Sequence, residues 1–206
     1  MDDEKIRSTT ELMMRNRTYQ QLIPTPFSED VKDETSYGKK DILPVLLRDS
    51  IWMADQKTDR PEEGRCLVIN TYLRMGVDVV RVLVTFMRDN NIANCVYVCP
   101  QNPTGPALTS ISNAKELFIQ VFTKTALVVP YPQHYLAPQF IARISKEEAK
   151  SIVAMKNGQD NGHTVSIDDP LIRWYGWRVN DFVMTIIRRF SLPPAVSVDV
   201  VVAATL

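Results

Sequence analysis

One short motif has the residue types of a metal-dependent nuclease. Glu148-Ala-Lys150 matches the Glu-x-Lys fragment in which a carboxylate binds Mg²⁺ beside a lysine. Ser145 stands three residues before Glu148, and Ser-x-x-Glu is also the capping box that opens a helix. The tripeptide is common by chance, so we interpret Glu148 as a helix-capping residue.

A pair of carboxylates offers a second candidate chemistry. Asp168 and Asp169 could share acid–base work, but they are followed by Pro170, and Asp before Pro commonly begins a turn. No base or nucleophile stands out near them. We therefore predict a turn and no catalytic residue.

The cysteines and glycines give no cofactor site. A zinc site commonly uses close Cys or His pairs, and His134 and His163 are remote from the cysteines. We predict buried apolar thiols at Cys66, Cys95 and Cys99. The seven glycines form no phosphate-binding loop, so we expect no metal, no cofactor and no small-molecule substrate.

The composition limits the class of protein. The 206 residues are 45% apolar, which is ordinary for a folded protein. Lys plus Arg and Asp plus Glu number 24 each, so the chain lacks the basic excess of an independent nucleic-acid binder. No apolar run approaches the ~20 residues that span a bilayer, and we expect no membrane association.

The spacing of apolar residues predicts an α/β N-terminal domain. Two short apolar runs, 66–70 and 95–99, flank a helical pattern from Val77 to Met87, which together predict a βαβ unit. We predict a solvent-facing helix over 5–21, a rigid loop at 100–106, and strands at 116–122 and 126–131.

The remaining residues predict a small α+β C-terminal domain. The elements are a helix over 145–155 and strands near 182–187 and 196–203, with helix-breaking residues at 157–162. We place the division so that residues 1–132 form the first domain and residues 133–206 the second.

An unusual mixture of aromatic and basic residues lies at Arg173-Trp-Tyr-Gly-Trp-Arg178. Arg and aromatic side chains are enriched at protein interfaces, and they also suit nucleic acid. Because the chain is neutral, we favour a partner interface combined with core packing over nucleic-acid binding.

This patch belongs to a set of motifs that resembles a known family. Asp169-Pro-Leu-Ile-Arg-Trp-Tyr-Gly176 and the following strand, which ends Ile-Ile-Arg188, resemble the assembly domain of RNA polymerase fifth subunits and archaeal H subunits. His134-Tyr-Leu-Ala-Pro138 and Ser145-Lys-Glu-Glu148 are similar to upstream elements of that domain, so the resemblance covers about 134–190.

The N-terminal half resembles the eukaryotic jaw domain more loosely, through 76–91, 95–99 and Thr104-Gly-Pro-Ala107. The chain departs from the family at Asn180, where glycine is common. It departs again beyond Arg188, where Pro193-Pro194 and a valine run replace the aromatic and basic closing strand of the family. So divergent a version resembles the homologue of a large cytoplasmic DNA virus of the asfarvirus type.

The resemblance implies a non-catalytic subunit of a DNA-directed RNA polymerase. Its C-terminal domain would dock on the largest subunit, beside neighbouring subunits, through His134, Pro138, Asp169, Pro170, Arg173, Tyr175, Gly176 and Arg188. The jaw domain would lie near downstream duplex DNA, with Thr104, Gly105 and Pro106 as a sequence-independent contact. The expected location is the host cytoplasm and virion if the source is viral, and the nucleus if it is cellular. A stand-alone Mg²⁺-dependent nuclease and a host-interaction protein remain alternatives.

Overall fold

The computed structural model describes residues 3–19, 22–24, 51–54, 63–134, 137–155, 163–189 and 192–203. The chain divides into two compact units, Met1–Val128 and Val129–Leu206. The predicted helix-breaking stretch 157–162 lies outside the described residues. No described helix is long and apolar enough to cross a membrane.

The N-terminal unit contains helices on a mixed sheet. Its elements are α1 (Asp3–Asn16), β1 (Leu22–Pro24), β2 (Ile51–Ala54), β3 (Cys66–Asn70), α2 (Val77–Asp89), β4 (Asn94–Cys99), α3 (Gly105–Asn113) and β5 (Phe118–Thr123). Among the described strands the order is β1-β2-β3-β4-β5. Strands β3, β4 and β5 are parallel, whereas β1 and β2 are antiparallel to their neighbours.

The predicted βαβ unit is confirmed as β3-α2-β4, and it forms the core of this unit. Every residue of β4 is buried, as expected for a parallel strand covered on both faces. Helix α2 turns Leu83, Phe86 and Met87 towards the sheet. Burying such a side chain contributes about 1.5–3 kcal/mol, so this packing positions the neighbouring loops.

Helix α1 is present, but the prediction that it faces solvent is wrong. Ile6, Met13 and Met14 are buried, because their spacing of seven and eight residues places them on one helical face. Just beyond the helix, the Arg17 guanidinium lies 5.9 Å from the centre of the Phe122 ring in β5.

Two other local predictions are wrong. The loop predicted over 100–106 ends at Thr104, because the Thr104 hydroxyl accepts a hydrogen bond from the Ala107 amide and α3 begins at Gly105. The strand predicted at 126–131 is instead a 3₁₀ helix over Lys124–Leu127 followed by bends. There the Thr123 hydroxyl accepts from the Ala126 amide and turns the chain.

The C-terminal unit is a small α+β fold, which confirms the predicted class. Its strands are β6 (Phe140–Ile144), β7 (Thr164–Ser166), β8 (Phe182–Arg189) and β9 (Leu192–Val202), in the order β6-β8-β9-β7. Helix α4 (Lys146–Met155) contacts β8 and β9. The short helix α5 (Pro170–Tyr175) follows β7, and a 3₁₀ turn over Tyr131–Gln133 precedes β6.

Strand β9 contains the paired prolines Pro193 and Pro194, which are accommodated at an irregularity in the sheet. Ile187 pairs with Ala195 and Arg189 with Leu192, so residues 193 and 194 lie opposite residue 188 alone. Proline has no amide hydrogen for the ladder and is tolerated at such bulges. Strand β9 therefore continues in register to Val202.

Candidate functional site

The nuclease-like glutamate has a local structural role. The Ser145 amide donates to Glu148 Oε2 at 2.8 Å, and the Glu148 amide donates to Ser145 Oγ at 3.1 Å. The capping box is confirmed. The hydrogen bond from the Ser145 amide lowers the pKa of the Glu148 carboxyl below its ordinary value. This bonding explains the Ser-x-x-Glu motif without a metal.

The three thiols are buried, as predicted. Cys66, Cys95 and Cys99 form no disulfide bond, and all three lie inside the N-terminal unit. Burial raises the pKa of the Cys95 thiol well above its ordinary value, and it also raises the pKa of the Cys99 thiol. Within the described part of the chain, no three His, Cys, Asp or Glu side chains cluster as metal ligands would.

The Asp-Pro motif opens a helix and is more than a turn. Asp169 Oδ1 accepts hydrogen bonds from the Leu171 amide at 2.8 Å and the Ile172 amide at 3.3 Å. Pro170 occupies the first turn of α5, where its missing amide hydrogen costs nothing. Gly176 ends the helix at φ 67°, a left-handed conformation that glycine adopts without strain.

The aromatic patch is largely core. The Trp174 side chain is fully buried, and its ring meets the Tyr131 ring edge-on at 5.9 Å. Trp177 is buried and stacks on Tyr175 with the ring centres 4.7 Å apart. Tyr175 stays partly exposed, and burial raises the pKa of its hydroxyl. Trp177 clusters with Ile172 of α5 and with Val183 and Val201 of the sheet, and Tyr175 packs against this cluster, which supports the core part of the prediction.

Helix α5 covers only part of one sheet face, and a groove remains beside it. Strand pairing places Ile141, Thr185 and Ser197 in one row across the sheet, and Val183 and Asp199 in the next. The groove has a volume of about 220 Å³. Its apolar lining is Ile141, Val165, Leu171, Ile172, Val183 and Ile187.

Pro138, Asp169, Thr185 and Asp199 complete the lining. We call this concavity the sheet-face groove. Ile187 is 49% exposed at its rim, although it is a large apolar side chain. An exposed apolar concavity with a few polar groups is typical of a binding surface.

The structure brings together two of the residues that the resemblance selected. Pro138 and Asp169 both line the groove, although they are separated by 31 positions in the sequence. The other described side chains of that set, His134, Pro170, Arg173 and Tyr175, are absent from the lining, as is Gly176. The side chain of Arg188 lies outside the described residues, as do Tyr135 and Leu136.

Thr185, Ile187 and Asp199 line the groove although they were not among the site residues predicted from the sequence. The available signal was the period-two alternation of β8, which puts Val183, Thr185 and Ile187 on one face. Asp199 is a charged residue within a valine-rich strand, and its pairing with Val183 places it on the same face of the sheet.

The predicted DNA contact in the N-terminal unit lies at the beginning of α3. Thr104 caps this helix, with Gly105 and Pro106 in its first turn. The exposed Arg74 side chain lies alongside, where its Nε donates to the Asn102 carbonyl at 3.0 Å. A helix N-terminus carries partial positive charge, so backbone and arginine present the same sign here.

The departure at Asn180 has a conformational explanation. Asn180 adopts φ 74°, in the left-handed region, and its amide donates to the Val201 carbonyl at 2.9 Å. Asparagine tolerates this region better than other residues with a Cβ. The chain therefore keeps a backbone geometry for which glycine is the usual choice.

Together these features define a protein with an α/β unit and a small α+β unit that carries a candidate partner-binding groove. No protein-family model matches the chain. The chain is 23% identical over 175 residues to the subunit rpabc1 of DNA-directed RNA polymerases I, II and III from Dictyostelium discoideum. The match covers 84% of this chain and 83% of that protein. This similarity supports a relationship between the chain and the RNA polymerase fifth-subunit family.

Proposed function

We propose that this chain is a non-catalytic subunit of a multisubunit DNA-directed RNA polymerase. The main support for this proposal is the extent of the similarity to the Dictyostelium polymerase subunit. Its 175 matched residues exceed the 128 of the N-terminal unit, so the match extends into the C-terminal unit. A similarity of this extent favours a shared role for the whole chain over a shared fold in one half.

The direct test is co-purification. The full chain, tagged at one end and isolated from its native source, should carry the large catalytic subunits of a polymerase, identified by mass spectrometry. Isolation of unrelated proteins without polymerase subunits would contradict the proposal and favour a host-interaction protein. The alternative function, a stand-alone nuclease, would be favoured if the purified chain cleaved DNA in the presence of Mg²⁺ and if Glu148→Ala abolished that cleavage.

In this proposal the C-terminal unit docks on the largest subunit. The support is the position of Pro138 and Asp169 in an exposed apolar groove of that unit. Residues 129–206 alone should bind the largest subunit, and residues 1–128 alone should not. Binding by the N-terminal unit alone would show that docking has been assigned to the wrong unit.

The N-terminal unit lies near downstream duplex DNA in this proposal, with Thr104, Gly105 and Pro106 closest to the phosphates. The partial positive charge of the α3 N-terminus and the adjacent Arg74 support a contact without sequence preference. In the assembled polymerase, Arg74→Ala should reduce the slope of log K against log salt by about one.

Arg81→Ala is the matched control for the DNA contact, since Arg81 is exposed on α2 and its nearest acidic partner is Asp78 at 4.0 Å. It should leave the salt slope unchanged. Equal slopes for wild type and Arg74→Ala would remove this site from the proposal.

We further propose a viral source, a large cytoplasmic DNA virus of the asfarvirus type. The 23% identity and the departures at Asn180 and Pro193-Pro194 support a strongly divergent homologue. The subunit would then lie in the host cytoplasm and in the virion, whereas a cellular homologue would lie in the nucleus. Mass spectrometry of purified virions tests this proposal, and absence of the chain from them would contradict it.

A further inference from the structure

The sheet-face groove is acidic as well as apolar. Among the described residues that line it, the charged ones are Asp169 and Asp199, and both are negative. Leu171 and Ile172 of α5 and Ile187 of β8 provide apolar surface close to them. Such a surface favours a partner that carries an apolar side chain and a cation close together.

Both carboxylates are held in fixed positions by local hydrogen bonds. Asp169 Oδ1 takes both helix-capping bonds, and Oδ2 takes no part in the cap. Asp199 Oδ1 accepts from the Ser197 hydroxyl at 3.2 Å. A carboxylate has about four acceptor positions, so each can accept a further donor.

Arg143 is a basic residue on the same face of the sheet as Asp199, so its position relative to the groove matters. It pairs with Val183, which in turn pairs with Asp199, so all three lie in one row on the groove face of the sheet. Arg143 is outside the groove lining, and one whole strand separates it from Asp199. The described lining therefore contains two acidic side chains and no basic one.

We propose that the sheet-face groove binds a short segment of a neighbouring polymerase subunit in which a Lys or Arg lies close to an apolar side chain. The apolar side chain contacts Ile187 and Leu171, and the cation lies beside Asp169 and Asp199. This inference rests on the proposed polymerase function, because it names the chemistry of the segment that the C-terminal unit contacts.

A photo-crosslinking residue at position 187 of the full chain tests the identity of the occupant. Ile187 is suited to replacement because it is half exposed at the groove rim. After irradiation of the assembled polymerase, the crosslinked peptide should come from another subunit and should contain Lys or Arg within about four residues of the crosslink. That distance is about one helical turn or a few strand residues.

The charge requirement is tested with Asp199→Asn in the full chain. An exposed or half-exposed ion pair contributes ~0.2–1 kcal/mol, so binding to the polymerase should weaken about 1.4-fold to fivefold at low salt. The difference should shrink as salt rises, because ions screen the pair. Glu147→Gln removes the same charge from an exposed position on α4 outside the groove, and it should leave binding unchanged.

Four outcomes would overturn the inference while the proposed function stands. They are a crosslink to an acidic or uncharged segment, a crosslink to a second copy of this chain, a crosslink within the chain, and no crosslink from a chain that is present in the polymerase. Equal binding by Asp199→Asn and wild type would overturn its charge requirement. If the wild-type chain enters no polymerase, both proposals fail.

Discussion

Lys124 and Asp3 form an ion pair that joins the two ends of the N-terminal unit. Lys124 Nζ lies 2.9 Å from Asp3 Oδ1 and 3.5 Å from the centre of the Tyr72 ring. The Lys124 side chain is only 4% exposed, whereas that of Asp3 is 47% exposed. The Tyr72 hydroxyl also donates to Asp3. We predict that Asp3→Asn destabilises the attachment of α1 more than Lys124→Met does.

The prediction follows from the difference in burial. Asp3→Asn leaves a buried ammonium without its counter-charge, a change that costs about 3–5 kcal/mol at fully buried sites. Because water reaches Asp3, we reduce this to about 2 kcal/mol. Lys124→Met removes the buried charge together with the pair and retains a favourable contact with Tyr72, so it should cost about 1 kcal/mol or less.

Amide hydrogen exchange across α1, measured by mass spectrometry, is the assay. A loss of about 2 kcal/mol should speed exchange through local opening by roughly 30-fold in Asp3→Asn. The control is Glu4→Gln, which removes another first-turn carboxylate and so accounts for the helix-dipole contribution. The reasoning is refuted if Asp3→Asn exchanges no faster than Glu4→Gln or Lys124→Met.

Two further predictions concern the C-terminal unit. Asn180→Ala should lower the free energy of unfolding by about 1 kcal/mol because of the left-handed φ of 74°, while Asn180→Gly should stay within about 0.5 kcal/mol of wild type. Urea denaturation followed by tryptophan fluorescence measures the free energy of unfolding of both variants. Equal losses of stability in Asn180→Ala and Asn180→Gly would show that the asparagine side chain matters more than the backbone conformation. Glu148→Gln should be less stable than wild type at pH 7, because a carboxyl with a lowered pKa stabilises the fold above its unfolded pKa of about 4.3. That difference should vanish as pH falls through the lowered pKa of the folded state, and a difference that persists at pH 2.5 would contradict the role of the charge.

The parts of the fold that sequence predicted correctly are those fixed by local patterns. The runs that became β3 and β4 are nearly continuous in apolar residues, which is how strands buried on both faces appear in sequence. The Ser145–Glu148 box depends on residues three apart and needs no tertiary information.

The failed predictions are places where local signals conflict. The run from Ala126 to Tyr131 is apolar like a strand, but the Thr123 hydroxyl turns the chain before it can extend. Gly105 and Pro106 suggest a loop, although proline suits the first turn of a helix once Thr104 supplies the cap.

The groove could not be predicted because it depends on what α5 leaves uncovered. Its lining is drawn from segments between Pro138 and Asp199, which only strand pairing brings together. Alternation in β8 identified the faces of the strand, but it did not show which face would be half covered. That outcome depends on the length of α5, which ends after six residues at Gly176.

The two positions at which the sequence departs from the resembled motifs both have a regular place in the backbone of this chain. Asn180 adopts a conformation that glycine would also adopt, and residues 193 and 194 fall at a bulge where proline does not interrupt the ladder. Because β9 stays in register with β8 from Ala195 onwards, Asp199 remains opposite Val183 on the groove face. The contacts made by β9 must therefore be inferred from its own residues.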